Sequence, residues 1–173
     1  FRAAPPSVAV LRCREDLSFC AEAAPACLAW AYGEGEFSLK AGETIGYLEP
    51  LTSQKDWKGR AFVNALSGLG VRVEPYRKSG GMKLIAGIFS RPRAYSAVIN
   101  LGLEERTELE NAVKSASATA VAAFGSPFVL NGLENRPTAA LCAFCALEDF
   151  QHAAARVLGG AARARGIMPV RIG

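Results

Sequence analysis

The order of short apolar runs and helical repeats predicts an α/β domain, a three-layer α/β/α sandwich around a mainly parallel sheet of five or six strands. Three observations carry that expectation. Strand-like runs alternate with amphipathic helical patterns along most of the chain, several of the runs are continuously apolar as in sheets covered on both faces, and glycines or prolines punctuate their ends. With 173 residues, half of them hydrophobic and 21% charged, the chain has the size of one globular domain that can bury a core without staples. Residues 1–173 are therefore read as a single domain, with residues 1–6 as a linker end and no signal-peptide pattern in FRAAPP.

The elements follow in order. SVAVLRC (7–13) reads as a buried strand, DLSFCAEAA as a short helix, and ACLAWAY (26–32) as the second strand. Between Gly33 and Pro50, ETIGYLEP suits an edge strand or an extended loop. Thr52 or Ser53 can cap a helix in which Phe62, Ala65, Leu66 and Leu69 recur at helical spacing, with Gly68 and Gly70 ending it. VRVEPY (71–76) is the next strand, and MKLIAGIF (82–89) fits a helix or a strand before the break at Pro92.

YSAVINLGL (95–103) has the continuous hydrophobic character of a central parallel strand. The following helix shows a T-x-x-E capping box at Thr107 and Glu110, with Leu109, Ala112, Val113 and Ala116 as its apolar stripe. TAVAAF (119–124) and TAALCAFC (138–145) are two further strands. In the last helix Glu148 and Asp149 complement the positive end of the dipole, Phe150, Ala153, Ala154, Val157 and Leu158 form one face, and Gly159 and Gly160 stop it.

Charge and cysteine content narrow the function. The net charge of +4 comes from 20 basic and 16 acidic residues scattered along the chain, apart from a loose group of Arg163, Arg165 and Arg171. A nucleic-acid binder would concentrate and interleave its positive charge with aromatics, so a solvated surface is the expectation. No apolar run approaches the ~20 residues of a membrane helix. Five cysteines, Cys13, Cys20, Cys27, Cys142 and Cys145, match no disulfide scaffold, which favours reduced thiols in the cytoplasm. Cys142 and Cys145 form a CxxC inside an apparent strand, where residues three apart face opposite ways, so no metal ligand or cofactor contact is assigned.

Candidate chemistry is sparse. GEGEF (33–37) follows a strand, but Glu34 and Glu36 would repel a phosphate and the third glycine of a nucleotide fingerprint is missing; a surface turn is expected. The single histidine, His152, is placed on the polar face of the last helix, surrounded in sequence by Gln151 and Arg156, and a catalytic role would need a distant Ser or Cys. Glu104 and Glu105, and likewise Glu148 and Asp149, follow strands and could meet across the carboxyl edge of the sheet as an acid and base for glycoside hydrolysis. Helix capping is the simpler role for both pairs.

The final third carries a resemblance. AFGSPF, with Gly125, Ser126, Pro127 and Phe128, is a strand running into a small-residue turn. The strand ALCAFC, the helix from Phe150 to Leu158 and LGGAARARGIMPVRI, with Gly166, Pro169, Val170 and Ile172, follow it. In that order these motifs resemble the second domain of family three glycoside hydrolases, particularly the β-N-acetylglucosaminidase-like members, over a stretch reaching back to about Tyr95. The resemblance implies that the aspartate nucleophile, and in this group a His/Asp acid–base pair, sit on a preceding (β/α) barrel. In the glucosidase-like group an acid/base glutamate comes from the second domain, but none of Glu34, Glu36, Glu104 or Glu134 matches its motif. No catalytic residue is assigned, no substrate-binding residue is identified, and no cofactor is expected.

The resulting expectation is a non-catalytic accessory domain of a β-N-acetylhexosaminidase-like glycosidase, packed on a barrel in the same polypeptide and inactive alone. The alternative is a free-standing doubly wound module that binds a small molecule at the carboxyl edge of its sheet.

Overall fold

The computed structural model describes residues 14–78, 81–90 and 100–172; the strand expected at 7–13 and the break at Pro92 lie outside them. Six strands, β1 (Ala29–Tyr32), β2 (Thr44–Leu48), β3 (Arg72–Pro75), β4 (Leu84–Ser90), β5 (Thr119–Gly125) and β6 (Ala139–Cys142), form one sheet in the order β1-β6-β5-β4-β2-β3. All neighbours pair in parallel except β1, which runs antiparallel to β6. Four helices, α1 (Arg14–Cys27), α2 (Arg60–Gly68), α3 (Leu103–Ser115) and α4 (Glu148–Leu158), complete the layers. The sandwich expected from the sequence is the one observed.

Side-chain alternation along the central strands divides the core in two. Ala120, Ala122 and Phe124 of β5 join Phe62 and Leu66 of α2 and Ala153, Ala154 and Val157 of α4 on one face. Val121 and Ala123 point the other way, towards Leu109 of α3 and Val129 and Leu130 of a short 3-10 turn. A strand covered on both sides has no solvent face, hence its unbroken apolar run. The alanines let helices approach closely, and Gly159 marks one such approach: a Cβ there would come within 2.5 Å of Leu69 Cδ1.

Several boundaries differ from the sequence reading. β2 is an internal strand between β3 and β4, not an edge strand or a loop. Gly46 disguises it: the ring of Tyr76 covers that glycine, and a Cβ would meet Tyr76 Cδ2 at 2.5 Å. MKLIAGIF resolves as β4 and, with β5, holds the middle of the sheet. Residues 95–99 of YSAVINLGL lie outside the described residues; Asn100–Gly102 are not strand, and Leu103 already begins α3. Likewise TAALCAFC is strand only to Cys142, because Phe144 turns the chain with φ +59.

Two helix starts also move. Ser53 precedes a single 3-10 turn, Gln54–Asp56, and α2 begins later, behind Gly59. The capping box is displaced by one turn or more: Glu105 Oε2 accepts from Gly102 N–H at 2.9 Å, whereas Thr107 donates to Leu103 O inside the helix. Glu110 accepts instead from Glu134 N–H at 3.0 Å.

Both edges of the sheet are protected. β3 ends in Pro75, which has no N–H to offer. The β1 side is crossed by the C-terminal segment. Arg165 N–H donates to Pro25 O and Gly166 N–H to Leu28 O; Ala162 and Ala164 pack on one core cluster, Met168 and Ile172 on the other. The segment thus straps the two faces together around β1. A side chain at Gly166 would place its Cβ 2.7 Å from Leu28 O and lift the strap. Gly166→Val should therefore cost about 1–3 kcal/mol and lower the thermal midpoint by about 2–4 °C per kcal/mol. An unchanged melting curve would show that the strap contributes nothing.

Candidate functional site at the carboxyl edge

The order β3-β2-β4-β5-β6 reverses direction between β2 and β4, and ligands of such sheets bind beyond the carboxyl ends of the strands where the order reverses. At that point stands Glu49, one residue past β2 and only 3% exposed. Its carboxylate takes three hydrogen bonds. Oε1 accepts from Tyr47 O–H at 2.9 Å and Gly59 N–H at 2.7 Å, and Oε2 accepts from Lys58 N–H at 2.9 Å. Gly59 is the residue before α2 and has no side chain to cap it, so Glu49 neutralises donors at that helix start from a neighbouring strand.

Gln151 of α4 completes the arrangement. It is buried, accepts from Phe62 N–H at 3.1 Å, and donates to Ala146 O at 2.8 Å and Lys58 O at 3.4 Å. Two glycines make room for the Tyr47 hydroxyl: a Cβ at Gly59 would lie 2.2 Å from it, and one at Gly87 2.3 Å. Around it Tyr47 meets Trp57 edge-on at 4.8 Å and Phe62 at 5.9 Å, and Phe124 stacks on Phe89 at 4.6 Å. Burial, followed by the Glu49 charge, pushes the Tyr47 hydroxyl well above its ordinary value.

This is a closed polar knot beneath the edge, with each carboxylate oxygen occupied. Its geometry fits helix capping and the positioning of the loop that follows β2. The sequence reading missed it. A glutamate between an apolar run and Pro50 is the available signal, hidden while ETIGYLEP reads equally as a loop; Gln151, next to His152 in sequence, faces inward.

The residues singled out from the sequence fall elsewhere. Glu104 and Glu105 open α3, and Glu148 and Asp149 open α4, so both acidic pairs lie in first turns, as capping requires. Those helices pack on opposite faces of the sheet. Glu34 and Glu36 are exposed in a turn beyond β1. Because β1 is antiparallel, that turn sits beside Thr138 and Ala139, at the amino edge, and no helix follows it. Exposed His152 lines a groove of about 530 Å³ between α2 and α4 with Asn64, Asp149 and Arg156; its lining contains no Ser, Thr or Cys.

Cys142 is buried, and burial pushes its thiol up to about 12. Cys145 lies past the end of the strand, so strand alternation does not govern its direction. Among the described residues no three or more His, Cys, Asp or Glu side chains gather as a metal group, and no helix is long and apolar enough to cross a membrane. Arg163, Arg165 and Arg171 are exposed along the strap.

Two measurements test the knot. Glu49→Gln places an amide N–H₂ against backbone donors and should cost about 1–3 kcal/mol in urea unfolding; full stability in the variant would show that the carboxylate is dispensable. Tyr47 supplies the second. Its folded value is raised above the ordinary 10.0, so its contribution is fully present below pH 10 and is lost as pH rises through the folded value. Ultraviolet titration should show a tyrosinate signal released with alkaline unfolding, and Tyr47→Phe should remove it.

No family model matches the sequence, and no curated protein matches it. The fold does match solved structures. A β-glucoside phosphorylase bound to 2FGlc shares it at TM-score 0.69 and 15% identity, over 97% of this chain and 34% of that one. A glycoside hydrolase family 3 β-N-acetylglucosaminidase from a Paenibacillus species matches at TM-score 0.66 and 15% identity, over 100% of this chain and 36% of that one. A fungal multi-domain β-N-acetylglucosaminidase of the same hydrolase family matches at 0.69 and 13%, over 97% and 21%. The chain thus has the fold of a part of these enzymes and spans about a third or less of their length.

Proposed function

We propose that this chain is a non-catalytic accessory domain of a β-N-acetylhexosaminidase-like glycoside hydrolase, packed in its natural setting against a (β/α) barrel that carries the catalytic groups. The supporting observation is the fold match, which takes in nearly all of this chain but only about a third of a family 3 β-N-acetylglucosaminidase. On this reading the carbohydrate substrate meets the barrel, and the domain's carboxyl edge shapes the neighbourhood of its active site. Chemistry within the chain supports the same division of labour. Its two acidic pairs begin helices on opposite faces, and its histidine faces solvent in a groove whose lining holds no Ser, Thr or Cys.

A free-standing small-molecule binder would hold its ligand at the sheet's carboxyl edge. There the Glu49 carboxylate and the Gln151 amide already have protein partners, and the groove beside His152 lies on the outer side of α2 and α4.

The test is hydrolysis of an aryl N-acetylglucosaminide. This chain alone should give no turnover above background, and a longer polypeptide containing both it and a barrel should release the aryl group. Robust turnover by the chain alone, abolished by Glu104→Gln or Glu148→Gln, would overturn the proposal.

A further inference from the structure

The net charge of the chain has a definite address. Residues 150–173 hold Arg156, Arg163, Arg165 and Arg171 and no Asp or Glu, so these arginines account for the whole net charge of +4. The other 16 basic residues are matched by 16 acidic ones, all of which precede Phe150. The uncompensated charge therefore belongs to the end of α4 and to the strap that crosses β1.

The strap sets its arginines outward. From Ala161 to Ile172 exposure alternates residue by residue, the pattern of an extended chain laid on a surface. Ala162, Ala164, Met168 and Ile172 take the inward positions on the two core clusters, and Gly166 N–H is tied to Leu28 O. Arg163, Arg165, Ile167 and Arg171 take outward ones. Among the described residues the side chains of Arg163 and Arg171 have no hydrogen-bond or ion-pair partner, and that of Arg165 reaches only a backbone oxygen, Glu22 O, at 3.5 Å. Ile167, between Arg165 and Arg171, is 90% exposed.

We infer that this ridge is a docking surface for an anionic lipid bilayer, with Arg163, Arg165 and Arg171 meeting headgroup phosphates and Ile167 entering the boundary between headgroups and acyl chains. Charge complementarity and the isoleucine together select that partner. A lone exposed isoleucine is ordinary on a protein surface; this one stands within the one stretch of the chain whose charge is unbalanced. A single-stranded nucleic acid would call for aromatic side chains to stack its bases, and residues 161–173 contain none. An acidic protein would have to bring a pocket for Ile167 with carboxylates on both sides of it, whereas a bilayer offers phosphate and hydrocarbon at every point of its surface. The inward contacts already hold the strap, so binding has only side chains to order.

Co-sedimentation with vesicles tests the ridge. This chain should bind vesicles of equal parts phosphatidylglycerol and phosphatidylcholine, leave phosphatidylcholine vesicles unbound, and be released at about 1 M salt, where charges are screened beyond about 3 Å. Arg163→Gln and Arg171→Gln should each lower the partition coefficient about fivefold, and Ile167→Ser should lower it several-fold without changing the salt dependence. Lys55→Gln combined with Lys78→Gln removes charge from other exposed positions and should leave binding close to that of the unaltered chain. The altered side chains are all exposed, and matching melting curves will show that each variant is folded. Absence of binding to the mixed vesicles, equal binding to the neutral ones, an equal loss in the Lys55 and Lys78 variant, or binding of soluble polyphosphate but not of vesicles would overturn the inference.

Discussion

The carboxylate of Glu49 is the interaction on which the carboxyl half of the structure depends. A helix that begins behind glycine has no side-chain cap of its own, and the N–H groups leading into it and in its first turn need acceptors. Glu49 supplies both oxygens from β2, and Gln151 supplies a third acceptor from α4. One strand and two helices thereby share a single polar knot inside an otherwise apolar layer. A buried carboxylate is tolerable only when its oxygens are satisfied, so the knot also dictates small residues nearby: Gly59 and Gly87 leave the space that the Tyr47 hydroxyl occupies.

The same economy recurs along α3, whose acids hold backbone amides. Glu105 closes the start of α3, Glu110 holds the Glu134 amide, and Glu108 holds the Leu51 turn. Three neighbouring glutamates each have a structural partner. Glu148 and Asp149 open α4 on the opposite face of the sheet from α3. Leu51, Leu103 and Leu147 stand exposed at the carboxyl edge.

Two devices isolate the sheet from other chains. Pro75 removes a donor from one edge strand, and the segment from Ala162 to Ile172 wraps the other, packing on both core clusters. The Gly166 contact with Leu28 O is the close point of that wrap.

The α/β class, the parallel character of the sheet and the last helix were legible in the residues alone, because unbroken apolar strands and a periodic helix face record local burial. TAVAAF and the Phe150 to Leu158 stripe are read correctly for that reason. Gly46 concealed β2, since the ring that fills its space comes from Tyr76, thirty positions along the chain. Thr107 and Glu110 match a capping pattern of which only the glutamate half is made, at the true helix start, by Glu105 accepting from the Gly102 N–H. Only the tertiary structure decided the antiparallel course of β1, the inward turn of Gln151 and the knot at Glu49. Each depends on partners from distant elements, and a linear pattern carries no record of which distant groups meet.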